Sequence, residues 1–520
     1  MRGLFLYTLI FICIGFNSWA QPGTQLTLDQ AEEHYGHKNY LMAIPIFKAE
    51  LQKDPANKEL KYKLGICFLR TKISRIEAIK YLEEYTKDPK CEEEAWFYLG
   101  RAYLLNNKLT EAIAAFEKYK TLKPKKEVEA TRFIENCHNA QKFMSDPGNI
   151  TFTNLGKEIN SDHPDYYPFV SADETFLAFT SRRKDGVGGK KVEVDGYHPS
   201  DIYFSHVENG NWTKVINAGR ILNGALDEQA VGLKSDGLEM YVYLDHIEKF
   251  GDLYISSRKD VGSEFGKPHP CDPHINEKIE TSGCLSEDGQ TMFFARKPKI
   301  DENSDIWICR KLPNGKWAIP QKLPDLINTK YNEDFPYLSN DGKTLYFSSE
   351  GHNSMGGYDL FRTTWDAETN NYTEAVNLGY PVNSTDDDRN ICVTPDNRVA
   401  YISAFRPGGF GDLDIYRIKF NDNEQINKIF IGKVFMGDTI ASHQPKTFAI
   451  SMIVTNKKTK GELLYTPHTK SGRYVISLPV GKYSLVINSE GYKEYVEELN
   501  ISDIGKIEMQ KNKNFVLKKK

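Results

Sequence analysis

The stretch Leu338 to Glu350, LSNDGKTLYFSSE, sets Gly342-Lys343-Thr344 directly behind Asn340-Asp341. Two chemistries use such residues. A phosphate loop wraps backbone N–H groups around phosphate oxygens and needs another glycine five residues before the Gly-Lys-Thr. That position is Tyr337. A sialidase-type Asp box sets its glycine two places after the aspartate, whereas Gly342 follows Asp341 at once. A hydrolase elbow needs G-x-S-x-G, and GHNSMGG from Gly351 carries one residue too many before Ser354. HPCDPH brings His269, Cys271 and His274 together, a donor set that could hold a metal. It reads more simply as a proline-rich connecting loop. STDDD, Ser384 to Asp388, offers oxygen ligands for Ca²⁺ and reads more simply as a solvated loop. No catalytic residue, cofactor or metal is expected.

The opening stretch has relatives along the chain. SADETFLAFTS begins at Ser171, KSDGLEMYVYL at Lys234, SEDGQTMFFAR at Ser286, SNDGKTLYFSS at Ser339 and TPDNRVAYISA at Thr394. The repeated position holds Asp173, Asp236, Asp288, Asp341 and Asp396, followed by Gly237, Gly289 and Gly342 in the middle three copies. Asp-Gly suits a tight hairpin, because Gly takes positive φ and Asp tolerates it. Each copy continues into a second element with Asp201, Asp252, Asp305, Asp359 or Asp414 at its head. A third carries Asn160, Asn223, Asn276, Asn328 or Asn383 at a loop start. Copies of roughly fifty residues with about four strands each are the pattern of a β-propeller. Five blades are expected from about 150 to 421, with six as the alternative if a degenerate blade lies near Pro268. The last copy stops after its third strand, so Ile150 to Gly156 is expected to close the ring and remove an exposed edge. Five-bladed glycosidases need inward carboxylates. The identical recurrence of Asp201, Asp252, Asp305, Asp359 and Asp414 fits a structural hydrogen bond in every blade better than one catalytic site.

Residues 24–145 have a helical period instead. Pro55, Pro89 and Pro124 recur at near-constant spacing. In the clearest copy Trp96, Leu99, Gly100, Tyr103, Ala112, Phe116 and Pro124 fall on the positions of a tetratricopeptide repeat. Gly65 and Gly100 are expected to let paired helices approach closely. Residues 428–510 alternate apolar and polar with period two, the pattern of a small β-sandwich. Residues 511–520 are expected to form a tail.

The N-terminus carries Arg2, an apolar run from Leu4 to Phe16, and Ser18-Trp19-Ala20. This reads as a signal peptide, 1–20, cleaved before Gln21. Ile12 before Cys13 does not suit a lipobox. The formal net charge of −4 over 520 residues argues against nucleic acid as a partner. The cysteines left after cleavage are odd in number, lack CxxC pairs, and read mostly as small buried residues.

The propeller motif S-x-D-G-K-T-L-Y-F-S-S resembles the TolB-type repeat, and SGRYVISLPVGKYSLVINSEGY resembles a carboxypeptidase-regulatory-like, transthyretin-like sandwich. The whole order resembles Bacteroidetes periplasmic envelope proteins of the PorE type of the type IX secretion system. This resemblance implies a multidomain fold: an α-helical tetratricopeptide solenoid, an all-β propeller and a transthyretin-like β-sandwich. It implies a non-enzymatic periplasmic scaffold, with outer-membrane association and envelope or secretion-system proteins as partners. Relatives continue into an OmpA-like domain, and the sequence ends at NFVLKKK, about where that domain would begin. Peptidoglycan binding in cis is therefore not expected. Alternative functions are a carbohydrate-binding or carbohydrate-active propeller and a peptidoglycan-associated envelope protein.

Binding residues favour long loops on a rigid scaffold. The A–B and C–D turns of a blade share one face, and the longer D–A and B–C loops share the other. The long-loop face is expected to meet partners through Arg182, Arg183, Lys190 and Lys191. A second surface is the solenoid groove, with Tyr62, Arg70, Glu94, Phe97 and Arg101. Asp341-Gly342 should lie on the short-turn face, away from partners.

Overall fold

The computed structural model describes residues 27–189, 191–246, 251–422, 427–437, 449–502 and 509–520. The signal segment and Lys190 lie outside the described residues. The first zone folds into helices α1 (Leu28–Gly36), α2 (Tyr40–Lys53), α3 (Lys58–Arg70), α4 (Ile76–Thr86), α5 (Glu94–Leu105), α6 (Leu109–Leu122) and α7 (Glu127–Ser145). Thr27, Asn39 and Asn57 cap three of them by accepting the N–H groups of Gln30, Met42 and Leu60. Pro55, Pro89 and Pro124 each follow the end of the second helix of a pair. A Cβ at Gly65 would stand 2.6 Å from Leu82 Cγ, and one at Gly100 would stand 2.6 Å from Phe116 Cε1. Both glycines are therefore needed for the helix pairs to close.

The middle zone forms five antiparallel sheets, the blades. Inner strands A run over Asp165–Val170, Glu228–Leu233, Ile279–Leu285, Glu333–Leu338 and Ile391–Val393. Strands B follow, and those at Phe176–Ser181 and Val399–Ala404 are buried throughout, as a strand covered on both faces must be. Strands C run over Asp201–Glu208, Asp252–Ser257, Asp305–Arg310, Asp359–Asp366 and Asp414–Phe420. The outer edge of the fifth blade is Ile150–Asn154, which pairs antiparallel with Asp414–Phe420. The N-terminal strand thus closes the ring as expected.

The Asp-Gly turns have one geometry in all blades. Glu174, Gly237, Gly289, Gly342 and Asn397 take φ of 51°, 72°, 68°, 68° and 57°. The preceding aspartate accepts the N–H two residues on, at Thr175, Leu238, Gln290, Lys343 and Arg398. Asp341 therefore builds a turn, and Lys343 follows it by position alone.

A second device is more demanding. Asn223, Asn276, Asn328, Asn383 and Asn160 each accept from the N–H and donate to the C=O of one strand C residue: Ile202, Leu253, Ile306, Leu360 and Ile415. Asn160 does this across the closure, from the entry of blade 1 to the last blade.

The aspartates heading strands C are less uniform than expected. Asp201, Asp359 and Asp414 accept from Asn217, Asn377 and Asn154 on strand D at 2.7–2.8 Å. Asp305 instead pairs with Lys322 at 2.8 Å, and Asp252 lies 4.0 Å from His246. Blades 2 and 3 carry Pro270 and Lys322 where the others have the strand D asparagine, so the shared bond is absent there.

The C-terminal sandwich packs a sheet of Arg473–Pro479, Asn427–Met436 and Phe515–Leu517 against one of Glu462–Tyr465, Ile450–Asn456, Gly481–Ser489 and Tyr495–Ile501. Met452, Leu485, Ile487 and Leu517 form its core. The expectation of a tail at 511–520 is corrected. Phe515–Leu517 pairs parallel with Val434–Met436, and Phe515 and Leu517 are buried, so apolar burial holds the end of the chain in the domain.

Asn383 is fully buried; replacing it strands the Leu360 N–H, worth roughly 1–3 kcal/mol, and removes its bonds to Asn377 and to the Leu360 carbonyl, which keeps the N–H of Leu378. Asn383→Ala should lower unfolding stability by about 2–4 kcal/mol, read as a fall in denaturant midpoint with an unchanged slope.

Candidate interaction surfaces

The long-loop face of the propeller is occupied by the chain's own helices. Arg132 of α7 donates to the carbonyls of Gly351 and His352 at 2.8 and 3.0 Å and lies over the Tyr331 ring. Asn136 and Asn139, on the same helix face, donate to the carbonyls of Gly356 and Ser354. Arg75 pairs with Asp386 and stacks on Phe405, and Lys72 pairs with Asp412 at 3.1 Å. The inserts GHNSMGG and FRPGGFG thus serve as docking loops for the solenoid. STDDD is corrected too. Burial opposes ionisation of Asp386, yet Lys72 and Arg75 more than offset it and hold the carboxyl near 2. The loop is a charged interdomain contact, not a solvated one.

The residues expected on this face are mostly committed within it. Arg182 pairs with Asp195 at 2.6 Å, donates to the His198 carbonyl and stacks on Tyr197. Arg183 pairs with buried Asp165 and stacks on Tyr203. Lys191 pairs with Glu193 at 3.1 Å and keeps half its side chain in solvent. In the solenoid, Tyr62 is buried and stacked on Tyr85 at 4.5 Å. Phe97 sits among Phe116, Tyr119 and Phe133. Both therefore pack the solenoid core rather than face a groove. Glu94 pairs with Lys123 at 2.8 Å. Arg101 stacks on Phe133, its Nε lacks a partner, and burial lowers its pKa against the pull of Asp387 and Asp386. Arg70 is exposed.

At the axis, Arg389 pairs with Asp387 at 3.3 Å and lies over Tyr358, while Tyr167 packs on Phe335 at 4.3 Å. Around it stands a set of carboxyls that sequence reasoning missed: Asp165, Glu228, Glu280, Glu333 and Asp388, one close to the N-terminal end of each inner strand. All are buried. Each accepts an N–H from its own loop, at Ser161, Gly224, Lys278, Thr329 and Ser384. The available signal was spacing. Each lies five residues after the loop asparagine, or four in blade 3. Arg183, Arg296 and Arg406 approach three of them. Burial pushes Glu228 and Glu333 up to about 7 and Asp388 up to about 6.

The opposite face is covered by the sandwich. Arg473 pairs with Asp173 at 3.1 Å and donates to the Asp236 carbonyl. Thr466 and Ser477 donate to the carbonyls of Asp288 and Pro395. Ala172 packs on Ile429, Ile431 and Val475. Asp341-Gly342 lies on this short-turn face as expected. There it lines a cleft against the sandwich rather than open surface.

In the HPCDPH loop, Cys271 turns into the core while His269 and His274 stay exposed. Among the described residues no group of three or more His, Cys, Asp or Glu is placed to hold a metal. Of the seven cysteines among the described residues six are buried, and all seven are free.

Residues 77–127 match the tetratricopeptide repeat family. No curated protein matches the chain. Among solved structures, TolB from Acinetobacter baumannii is similar at 16% identity and a TM-score of 0.32, over 50% of this chain and 56% of TolB. The chain thus spans about half the length of that relative. A glycosyl hydrolase from Bacteroides ovatus matches at 11% identity and a TM-score of 0.32, over 50% of this chain and 84% of its own. A protein of unknown function from Dyadobacter fermentans matches at 13% and 0.34, over 63% of this chain and 99% of its own. Among the described residues, the molecule combines seven N-terminal α-helices, part of which match the tetratricopeptide repeat, with a ring of five antiparallel sheets.

Glu333 is fully buried and its carboxyl prefers the proton when folded. Its contribution is complete below the unfolded value of 4.5 and is lost as pH rises toward 7, because the unfolded chain then binds fewer protons. Stability should therefore decline with pH across that window, and Glu333→Gln should flatten the decline in denaturant titrations at several pH values.

Proposed function

We propose that this chain is a non-enzymatic scaffold of the cell envelope. It is exported to the periplasm through the signal at 1–20, associates with the outer membrane, and serves type IX secretion or gliding machinery. The observation that supports this reading is the closed propeller. The mouth through which a substrate would reach the axis is bridged by α7 through Arg132, Asn136 and Asn139 and by Arg75 to Asp386. The inner carboxyls are occupied by their own loops, and Arg389 at the mouth is paired. A solenoid and a sandwich held rigidly on opposite faces of one ring suit the task of presenting two surfaces at a fixed separation. The repeat helices supply the interaction module.

A second reading, a carbohydrate-active propeller, draws on Glu228 and Glu333, whose values near 7 are those of a general acid.

The mature chain, used as bait in an envelope extract, should retain outer-membrane or secretion proteins and should turn over no member of a glycan panel. Recovery of no envelope protein would count against the scaffold. Glycan turnover abolished by Glu333→Gln would establish the second reading, and co-sedimentation with purified peptidoglycan would establish direct wall binding.

A further inference from the structure

The sandwich does not lie flat on the propeller. The turns of blades 1, 2, 3 and 5 bond to it. The turn of blade 4 faces a cleft of about 420 Å³. That volume is in the range of ligand sites.

One wall is the strand Glu462–Tyr465, and all four of its residues line the cleft. Side chains of a strand alternate between faces. Four consecutive lining residues mean that the strand turns its edge toward the cleft. It is the outermost strand of its sheet. The ladder's phase follows from the hydrogen bond of Asn456 N–H to the Gly461 carbonyl. Bonded and non-bonded pairs alternate along an antiparallel ladder. Glu462 opposite Thr455, and Leu464 opposite Ile453, therefore fall in non-bonded pairs and direct N–H and C=O outward.

The facing wall is apolar and aromatic. Trp365 and Tyr372 meet edge to face at 5.0 Å, beside Phe293 and Leu338. Asn340, buried in the same wall, has an Nδ2 without a partner. Carboxylates at Glu287, Asp288, Asp341 and Glu462 outnumber the cations Arg310 and Lys343.

We infer that this cleft binds an extended, basic-and-apolar peptide segment of a partner protein, added as a strand to Glu462–Tyr465. Main-chain bonds to Glu462 and Leu464 give affinity, and the aromatic wall and carboxylates select the side chains. A saccharide could stack on Trp365 and Tyr372, but it would leave the alternating edge groups unmatched. The inference deepens the scaffold reading, and its test uses purified protein alone, so the two can fail separately.

The mature chain is panned against a displayed library of random short peptides, with a glycan array in parallel. Peptides alternating apolar residues with Lys or Arg should be enriched, and adding one should slow amide exchange at Glu462 and Leu464. Leu464→Pro removes one outward N–H and keeps the inner ladder, so it should weaken binding about tenfold or more. Glu462→Lys, a surface change that serves if the proline variant does not fold, should weaken basic peptides. The inference is overturned by no enrichment, by equal binding to both variants, by unchanged exchange at the strand, or by glycans alone occupying the cleft.

Discussion

In every blade one asparagine side chain holds both the N–H and the C=O of a strand C residue. Strand C lies between an inner pair and a short outer strand; at that point its carbonyl also accepts a backbone N–H from the outer side, from Ala218, Cys271, Leu323, Leu378 or Leu155, while its N–H is taken by the asparagine. A carboxamide is the one side chain that offers a donor and an acceptor in the geometry of a peptide group. The clamp therefore completes the outer side of strand C, supplying the acceptor that the short outer strand does not. At Asn160 the same clamp joins the first loop of the ring to Ile415 near its end. With Ile150–Asn154 paired to the last blade, strand C of that blade is no longer an edge.

A closed ring fixes where its loops emerge, and the other two domains depend on that placement. The solenoid grips side chains through Lys72 and Arg75 and carbonyls through α7, where Arg132, Asn136 and Asn139 read the path of the backbone through Gly351–Gly356. That loop joins strand B of blade 4, buried from Leu345 to Ser349, to the head of strand C, buried from Asp359 to Phe361. On the other face, the sandwich reads the turn carbonyls of Asp236, Asp288 and Pro395. The turn residues thus have two uses. Their aspartates set positive φ at the next residue, and their carbonyls anchor a domain.

The architecture was legible because it rests on periodic features. Repeated Asp-Gly pairs, repeated asparagines and prolines at near-constant spacing each report local geometry, and the lone strand at Ile150 was readable as the missing edge. The surfaces were not legible, because which face meets which domain is set by contacts between residues far apart. Arg132 to Gly351 is the plain case. Arg182 and Arg183 looked like free loop cations, but their partners Asp195 and Asp165 are supplied by folding. Tyr62 and Phe97 looked like groove residues, but helix pairing turns both inward. Phe515 and Leu517 sat in a lysine-rich end that read as a tail, yet two apolar side chains suffice to pair it with the sandwich.

The central claim is that both faces of the propeller are covered by the chain's own domains. Amide hydrogen exchange on the intact mature chain tests it directly. Segments 350–357 and 384–388 on one face, and the turns at 172–174 and 395–397 on the other, should exchange slowly. The solvent-facing turn at 313–315 should exchange fast. Equal, rapid exchange in all of these segments would contradict the account.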